Sequence, residues 1–528
     1  MNKKLFSVLA LMLTGLSVFS QTKEIRISPF RFGGVHALTT PSGEARGYYA
    51  LHAGSNGRWG FHLYDTHLQE INHAEIETPR HSVFNSMVTN GEQMLASFVL
   101  NAFRTSVTYV IMDAAGNETA RLTRENLPLL NRGEQFFPQL FLHPDQGFII
   151  VESVRGRRPG YSVEHVDKQL NTLWRREFFP SRGTGHVYGL WPQAGQIVIL
   201  DAVERTRRTR NTRLLTLDPE NGDHMLTMDL TDKDFTYFPT AVQPGPNGQV
   251  AVTGTYYKGE RILSKNSQGL FFLNIGPSGE TLAMELFDWR GLRGLLRTDV
   301  YDWFFKVMPE VWIHALDRNE DGSFIAIGEL YRYAGIRRDK KEERFHRVRL
   351  FDFMAFRFDP NGQMESALRI HRPHMILKLD AEVSGGGSGP MEDMVNAGPL
   401  SRGRALKQFG GFTYRYHRKT ADDQIVLAFM GYEGFAHYAY SVEVFGNSPY
   451  LQMPLTKSHP KVFTALQMID HVSGQYDPWH IIHETNTRSF DGSDKYWRGI
   501  LPAVEGKLMT YEYMPLTGRL WLNLVDAY

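Results

Sequence analysis

The 528-residue sequence predicts an all-β fold in which a four-stranded unit recurs along the chain. Three observations support this prediction. Short segments alternate apolar and polar residues, which is typical of half-buried antiparallel strands. Turns of the Asn-Gly, Asp-Gly and Pro-x-Gly kinds separate these segments. The unit recurs about every 50 residues in its first copies and at longer intervals later. Its third strands end near Asp65, Asp113, Asp167, Asp218, Gly276, Asp359 and Gly446.

The clearest copy of the unit is residues 238–287. Its second, third and fourth strands read QVAVTGTYY, GLFFLNI and TLAMELF. Residues 139–179 and 187–230 repeat the pattern, and a looser seventh copy runs from about residue 411 to residue 455. A small twisted sheet cannot bury both faces alone, so radial stacking of such units predicts a β-propeller. Tandem sandwiches or a multi-sheet solenoid are the alternative.

The two ends of the chain predict how the ring closes. The last segment, KLMTYEYMPLTGRLWLNLVDAY, supplies a second and a third strand and then stops. Near the N-terminus, TKEIRISPF is an alternating strand that precedes the first unit. We therefore expect this N-terminal strand to complete the last blade. The count is seven or eight four-stranded blades, and eight is favoured.

At this level the chain resembles secreted β-propeller repeat proteins. The resemblance rests on the blade hairpins and on the turns Asp113-Ala-Ala-Gly116 and Asp359-Pro-Asn-Gly362. It covers most of the chain, although a kelch double glycine or a Trp-Asp signature is missing from the units. Propellers share a shape and differ in activity, so the resemblance implies a scaffold and no specific enzyme family.

The N-terminus predicts the compartment. Residues 1–20 join two lysines to an apolar run and a small-residue end, as in a cleavable signal peptide. An uncleaved anchor is the alternative. The chain has no cysteine, which excludes disulfides, thiolate zinc sites and a lipid-anchor cysteine. We expect a secreted or periplasmic monomer without a transmembrane segment in the mature chain.

The mature chain, residues 21–528, is predicted to be a single propeller domain. Segments near 290–310, 373–407 and 457–497 do not fit the blade pattern and are interpreted as insertions. Connections from a blade's last strand to the next blade emerge on the same ring face as the loops between second and third strands. Long loops on a rigid scaffold are where binding sites are usually found.

Arginines concentrate in three of the predicted loops between second and third strands. Residues 155–160, 204–213 and 331–349 hold 16 Lys or Arg against 4 Asp or Glu, a net charge of +12. On one face, such guanidinium groups suit phosphate, sulfate or carboxylate. Ordinary solvated loops are the alternative. The predicted binding residues are Arg155, Arg157, Arg158, Arg205, Arg207, Arg208, Arg210, Arg337, Arg338 and Arg347.

The predicted function is a binding scaffold for an anionic or extended partner: a protein, a peptide or a glycan. The alternative is a hydrolase or lyase acting on polysaccharide or peptide at the ring mouth. A Gly-x-Ser-x-Gly elbow and a phosphate-cradling loop are missing from the sequence, so catalytic residues are not assigned. The full chain has a net charge of +1 and no nucleic-acid motif, so no nucleic-acid partner is predicted.

Two weaker patterns concern metals. Segment Asp317–Gly322 matches the first half of a calcium loop but lacks the acid at the twelfth position, and a hairpin turn is the alternative. On a helix, His480 and His483 would share one face, whereas His371 and His374 flank a proline. These patterns are insufficient, and no metal and no cofactor are predicted.

Overall fold

The structure is a computed structural model. It describes residues 21–27, 32–39, 45–54, 56–101, 105–127, 138–143, 147–155, 157–193, 195–206, 209–260, 262–296, 309–338, 344–372, 374–380, 411–419, 424–432, 435–439, 462–470, 480–484, 497–504, 506–514 and 517–526, with a few shorter pieces between 302 and 476. The predicted signal peptide, residues 1–20, lies outside the described residues.

The described chain is built from eight successive antiparallel sheets, called blades 1 to 8 in chain order. Strand β1 (Gln21–Arg26) precedes them. Blade 1 holds β2 (Phe32–Thr39), β3 (Ala45–Ala53), β4 (Arg58–Tyr64) and β5 (Glu70–Glu77). Blade 2 holds β6 (Val83–Thr89), β7 (Gln93–Asn101), β8 (Thr105–Asp113) and β9 (Glu118–Leu127). Blade 3 holds β10 (Gln139–Leu142), β11 (Phe148–Val154), β12 (Gly160–Val166) and β13 (Thr172–Phe178).

The next blades repeat the order. Blade 4 holds β14 (Thr184–Gln193), β15 (Gln196–Thr206), β16 (Thr209–Leu217) and β17 (His224–Asp229). Blade 5 holds β18 (Phe235–Pro244), β19 (Val250–Lys258), β20 (Ser267–Ile275) and β21 (Thr281–Asp288). Short 3₁₀ turns occur at Pro246–Gly248, Ser264–Asn266 and Gly291–Gly294. Blade 6 holds β22 (Glu310–Arg318), β23 (Phe324–Arg338), β24 (Arg344–Phe358) and β25 (Met364–Ile370).

The later chain adds strands to this plan. Blade 6 continues into β26 (Met375–Asp380), β31 (Phe435–Ala439) and β32 (Leu455–Thr456), while β27 (Glu382–Val383) and β28 (Gly387–Ser388) pair with each other. Blade 7 holds β29 (Tyr414–Lys419), β30 (Ile425–Tyr432), β33 (Val462–Asp470), β34 (Gln475–Tyr476) and β35 (His480–Glu484). Blade 8 holds β36 (Trp497–Pro502), β37 (Lys507–Met514) and β38 (Arg519–Asp526).

The burial pattern follows the position of a strand in its blade. Every residue of β11 and of β12 is buried, because both faces of these middle strands pack against neighbouring blades. The fourth strands β17 and β21 instead alternate exposed and half-buried residues along their whole length. The alternating segments of the sequence are therefore the outer strands, and the continuous apolar runs are the middle ones.

Each blade shares an apolar cluster with the next one. Phe61 of blade 1 and Phe98 of blade 2 belong to one such cluster, and Tyr109 of blade 2 and Phe148 of blade 3 belong to another. Further clusters join the remaining neighbours in turn, blade 8 to blade 1 included. Burial between consecutive blades therefore continues around the whole series, which confirms the propeller prediction.

The N-terminal strand completes blade 8. Strand β1 pairs antiparallel with β38 from Gln21 opposite Leu524 to Arg26 opposite Arg519. The Thr22 hydroxyl donates to Asn523 Oδ1 at 2.8 Å across this pair. Blade 8 is thus a four-stranded sheet made from both ends of the chain, and the higher of the two predicted blade counts is confirmed.

The turns predicted at Asp113 and Asp359 form as expected, whereas the one predicted near Gly446 lies outside the described residues, and the third strand of blade 7 is β33. The Gly116 N–H donates to the Asp113 carbonyl at 2.9 Å, and Gly362 N–H to the Asp359 carbonyl at 2.9 Å. Both glycines have positive φ, 84° and 86°, which a residue with a Cβ adopts at a cost. The Asp113 side chain also accepts from the Asn117 amide, so the Asp fixes the turn and the Gly supplies its conformation.

The insertion segments are more ordered than their composition indicates. Blade 7 takes its third strand, β33, from the segment 457–497, which the sequence pattern assigns to an insertion. Likewise β26, within 373–407, pairs with β24. None of the helices among the described residues has the length and apolar character needed to cross a membrane.

Candidate binding face

The hairpin of β23 and β24 is the longest in the described chain. Each strand has 15 residues, about twice the 7 of β11 or β12. The inner half of β24 pairs with β25, and its outer half, from Phe345 to Leu350, pairs with β26. We call residues 331–338, 344–350 and β26 the extended hairpin. It reaches beyond the blade proper, at the end where second and third strands connect.

Four arginines fall on one face of the extended hairpin. Arg332 pairs with Arg349 across the two strands, and Arg337 pairs with the residue two positions before Arg347. Cross-strand partners and alternate residues of a strand lie on the same face of a sheet. We call Arg332, Arg337, Arg347 and Arg349 the basic strip. Arg347 is half-buried, and the other three are exposed.

The opposite face of the extended hairpin is apolar. Tyr331, Val348, Leu350 and Leu377 are buried there and belong to a large core cluster that also includes residues of blades 4, 5, 7 and 8. This packing fixes the hairpin to the propeller. The basic strip is consequently presented on an anchored sheet.

The basic strip concentrates positive charge. Burial and the neighbouring guanidinium groups of Arg349 and Arg337 lower the pKa of Arg347. Lys378 occupies the position opposite Arg347 on β26. Among the described residues, none of the four arginines pairs with a carboxylate; Arg332 donates to the Val307 carbonyl at 2.8 Å.

Another arginine, Arg402, stabilises the end of the extended hairpin that is nearer to the blade. Arg402 contacts Glu310 Oε1 and Ser264 Oγ, each at 2.9 Å, and its guanidinium lies 4.8 Å from the centre of the Tyr333 ring. Glu310 is on β22, so the contact joins blade 6 to the segment that follows β26. This arginine is engaged in the fold, unlike those of the basic strip.

A buried ion pair lies where the extended hairpin meets blade 7. Glu329 on β23 accepts from Arg372 at 2.7 Å and from the Thr413 hydroxyl at 2.9 Å, and both residues are buried with it. The backbone N–H of Tyr414 also donates to it. Burial alone would raise the pKa of Glu329, but Arg372, His314 and these donors hold it at about 2.

The other predicted arginines have different positions. Arg155, Arg157 and Arg158 are exposed in the connection between β11 and β12. Arg205 lies on β15 and Arg210 on β16, beside the hairpin end of blade 4, whereas Arg207 and Arg208 lie outside the described residues. Arg338 ends β23. The N–H of Gly185, at the start of β14, donates to the carbonyl of Pro159 in the connection between β11 and β12. The loop between second and third strands of blade 3 therefore contacts the connection from blade 3 to blade 4.

Two features of the arginine-rich segments differ from the sequence interpretation. Segment 331–349 is mostly strand, because β23 and β24 continue through it. Arg213 lies within β16, and its guanidinium pairs with the buried carboxylate of Asp201. It is therefore part of the packing of blade 4, although it lies among closely spaced arginines in the sequence.

The predicted metal patterns have structural explanations. Asp317–Gly322 covers the end of β22 and the turn to β23. In this turn the Asn319 N–H donates to the Ser323 carbonyl, and the Asp321 carboxylate accepts from the Ser323 N–H. Residues 480–484 form strand β35, so the premise of two imidazoles on one helical face is wrong.

The carboxylate of Asp352 contacts both His371 and His374. It also pairs with Arg369 at 2.6 Å. That arginine already neutralises the buried carboxylate. A cation bound by the two histidines would therefore meet a positive charge.

Some groups of interest were missed at the sequence level. Glu329 and Arg372 are 43 positions apart, and His52, His62 and His73 come from three strands. The sequence does show a charged residue or a histidine within an apolar strand: Glu329 in FIAIGELY and His62 in GFHLY. Cross-strand register is needed to bring such residues together.

Comparison with known proteins gives a family and distant structural similarities. A model described as a family of unknown function (DUF6770) matches residues 89–445. The WD40 domain of SCAP from fission yeast is similar at 7% identity and a TM-score of 0.40, covering 96% of this chain and 98% of that one. No curated protein matches the sequence.

Two further solved structures are similar to the chain. The quinohemoprotein alcohol dehydrogenase ADHIIG from Pseudomonas putida HK5 has 9% identity and a TM-score of 0.40, covering 97% of this chain and 78% of that one. A protein of unknown function from Bacteroides caccae has 12% identity and a TM-score of 0.26, covering 60% and 92%. The propeller assignment stands on the strand pairing described above.

Proposed function

The chain belongs to this family of unknown function, and we propose that it is a secreted or periplasmic scaffold that binds an extended polyanion on the basic strip. The observation that carries the proposal is the set of four arginines on one face of an anchored hairpin, without a carboxylate partner among the described residues. The remaining arginine-rich connections are proposed to extend the same surface.

The charge arrangement favours a ligand over a purely structural role. Arg332 stands directly opposite Arg349, and like charges at such positions destabilise a sheet. An anion between them removes this repulsion and gains forked hydrogen bonds from each guanidinium. The arginines therefore contribute favourably only when an anion is bound.

The spacing of the arginines indicates the kind of ligand. Arg347 and Arg349 are alternate residues of one strand, so their Cα atoms are about 6.6 Å apart. Arg337 and Arg332 continue the same face on the neighbouring strand. Such a row suits a polymer that carries repeated carboxylate, sulfate or phosphate groups, whether glycan or polypeptide.

The hydrolase or lyase alternative lacks a comparable observation. It requires two carboxylates that are open to a substrate. The buried carboxylates Glu152, Glu164, Glu329 and Asp352 each contact an arginine and are enclosed by the fold. These four buried carboxylates therefore do not supply such a pair.

The proposal is tested with retention on immobilised heparin and polyglutamate, with neutral dextran as the blank. We expect the mature wild-type chain to bind at least one polyanion, and Arg337→Ala/Arg347→Ala/Arg349→Ala to weaken binding at least tenfold. The matched control is Arg58→Ala/Arg176→Ala/Arg519→Ala. These three arginines are exposed and each pairs with an acid, so the control removes the same charge from other sites. Equal losses in the two triple variants would refute the proposed site.

A further inference from the structure

Blade 1 brings three histidines together from its three outer strands. His52 lies on β3, His62 on β4 and His73 on β5. His62 stands directly opposite His73 in the register, and His52 stands opposite Gly60, two residues from His62. Since cross-strand partners and alternate residues share a face, all three imidazoles are on the same face of the blade.

The three side chains have the geometry of a ligand set. One ring nitrogen of each lies within 4.8 Å of those of the other two. The rings of His62 and His73 are stacked with centres 4.4 Å apart, and His52 is 5.2 Å from His62. A tetrahedral zinc ion at about 2.0–2.1 Å from each nitrogen places the nitrogens roughly 3.3 Å apart. Binding therefore requires the stacked rings of His62 and His73 to rotate, so that their nitrogens approach one another and turn toward a common point.

Gly60 on β4 leaves room for the ring of His52. A Cβ at Gly60 would lie 2.2 Å from His52 Cε1 and 2.5 Å from its Nε2. Only the absence of a side chain at this position lets the ring lie over β4. The buried Nδ1 of His52 has no hydrogen-bond partner among the described residues. The site therefore contains a nitrogen that the protein itself leaves unsatisfied, at a cost.

A carboxylate orients the second histidine. Glu70 Oε1 lies 3.1 Å from His62 Nδ1. In metal sites a ligating imidazole commonly donates its second N–H to a carboxylate, which fixes the tautomer and leaves the other nitrogen to the metal. Glu70 is placed to do this for His62, and its negative charge favours a cation at the cluster.

The charges on this face of blade 1 are also suited to a cation. Arg58, Glu75 and Glu77 share the face, and both acids contact Arg58. Together with Glu70 these groups are net negative.

We propose that His52, His62 and His73 bind a divalent transition metal ion, with zinc the best fit, and that Glu70 positions His62. Three imidazoles suit zinc, copper or nickel, and they leave a fourth position open to water or a ligand. The second histidine group, His371 and His374 with Asp352, is not proposed because Arg369 already pairs with that carboxylate.

The proposal is tested by titrating the mature, metal-stripped chain with zinc sulfate in a calorimeter. We expect one site that is lost in His52→Ala/His62→Ala/His73→Ala. Two controls are expected to keep it: His224→Ala, an exposed histidine on β17, and His371→Ala/His374→Ala. Zinc binding retained in the blade 1 triple variant, or missing from the folded wild-type chain, would overturn the proposal. Circular dichroism checks that each variant is folded.

Two milder variants test the supporting groups without removing a ligand. Glu70→Gln is expected to lower zinc affinity 10–100-fold at unchanged stoichiometry, since it removes the carboxylate that orients His62. Gly60→Ala is expected to displace the His52 ring and weaken binding similarly. Visible absorption of the cobalt-loaded wild-type chain reports whether the site is tetrahedral. If neither variant changes affinity or the cobalt spectrum, the metal is bound elsewhere and the assignment fails.

Discussion

The interface between blades 2 and 3 and the basic strip of blade 6 use arginine in opposite ways. At the interface, Arg124 donates to buried Glu152 at 2.6 Å and to buried Glu164 at 2.7 Å, and Arg175 contacts both carboxylates. Tyr109 adds a hydrogen bond to Glu152. Two positive and two negative charges balance there. On the basic strip, four positive charges have no described carboxylate.

The number of arginines in a segment therefore does not reveal their role. Paired arginines stabilise the fold, either by bridging two blades, as Arg124 does, or by joining strands of one blade, as Arg213 does. Unpaired arginines on an anchored sheet add little to stability and remain accessible to a partner. Arg213 illustrates the point, because it is one of several closely spaced arginines in the sequence and pairs with Asp201 in the fold.

The most buried pair gives the largest expected effect. Replacing Arg372 by Met leaves the Glu329 carboxylate buried without its cation, and removal of one partner of such a pair costs about 3–5 kcal/mol. Urea unfolding measures the loss. The same replacement at exposed Arg337 is the control and is expected to change stability by less than about 0.5 kcal/mol. Similar losses at both positions would contradict the distinction between paired and unpaired arginines.

The blade 2–3 interface is expected to respond next. Arg124→Met leaves Glu152 and Glu164 with Arg175 as the remaining cation, and we expect a loss of about 2–3 kcal/mol in urea unfolding. Arg121 on the same strand pairs with Glu118 at the surface. Arg121→Met is therefore the matched control, with an expected loss below about 1 kcal/mol. A control as damaging as Arg124→Met would show that strand β9 tolerates no change.

Acid should weaken the same buried pair. The pKa of Glu329 is about 2 in the fold against an ordinary 4.5, so its contribution to stability is complete above pH 4.5. That contribution is lost as the pH falls through the folded value. We expect the free energy of unfolding to decrease more steeply between pH 4.5 and 2 in the wild type than in Glu329→Gln. Parallel acid limbs in the two proteins would mean that Glu329 titrates normally.

The smallest stability effect is expected on the basic strip. Arg337→Ala/Arg347→Ala/Arg349→Ala removes mutually repelling charges, so its unfolding free energy should match the wild type within about 0.5 kcal/mol or exceed it. Thermal unfolding at low salt checks this. A clear destabilisation would assign these arginines to the fold and remove the main argument for a ligand.

Sequence pattern predicts the propeller better than it predicts the sites. The turn from Asp113 to Gly116 and the alternating pattern of β1 are local features, which a few consecutive residues are enough to predict. The basic strip depends on register, which shifts between Glu329 and Tyr331 and again between Tyr333 and Ile336. Each such bulge moves the following side chains to the other face of the sheet. The position of a bulge cannot be predicted from the sequence pattern.

The histidine group and the Glu329–Arg372 pair were unpredictable for a related reason. His52, His62 and His73 lie on three strands of one blade, and Glu329 and Arg372 are 43 positions apart, so the members of each group meet only once the strands pair in the correct register. The extended hairpin was also misjudged, because charged residues in 331–349 indicate a loop when burial of the other face is unknown. Tyr331, Val348 and Leu350 supply that burial.

The salt dependence of heparin binding tests most directly whether the basic strip binds a polyanion. Contacts between guanidinium groups and a polyanion release counterions, so the logarithm of affinity falls with the logarithm of salt concentration. We expect a shallower slope in Arg337→Ala/Arg347→Ala/Arg349→Ala and an unchanged slope in Arg58→Ala/Arg176→Ala/Arg519→Ala. If both triple variants keep the wild-type slope, or both lose it equally, the basic strip is not where the polyanion binds.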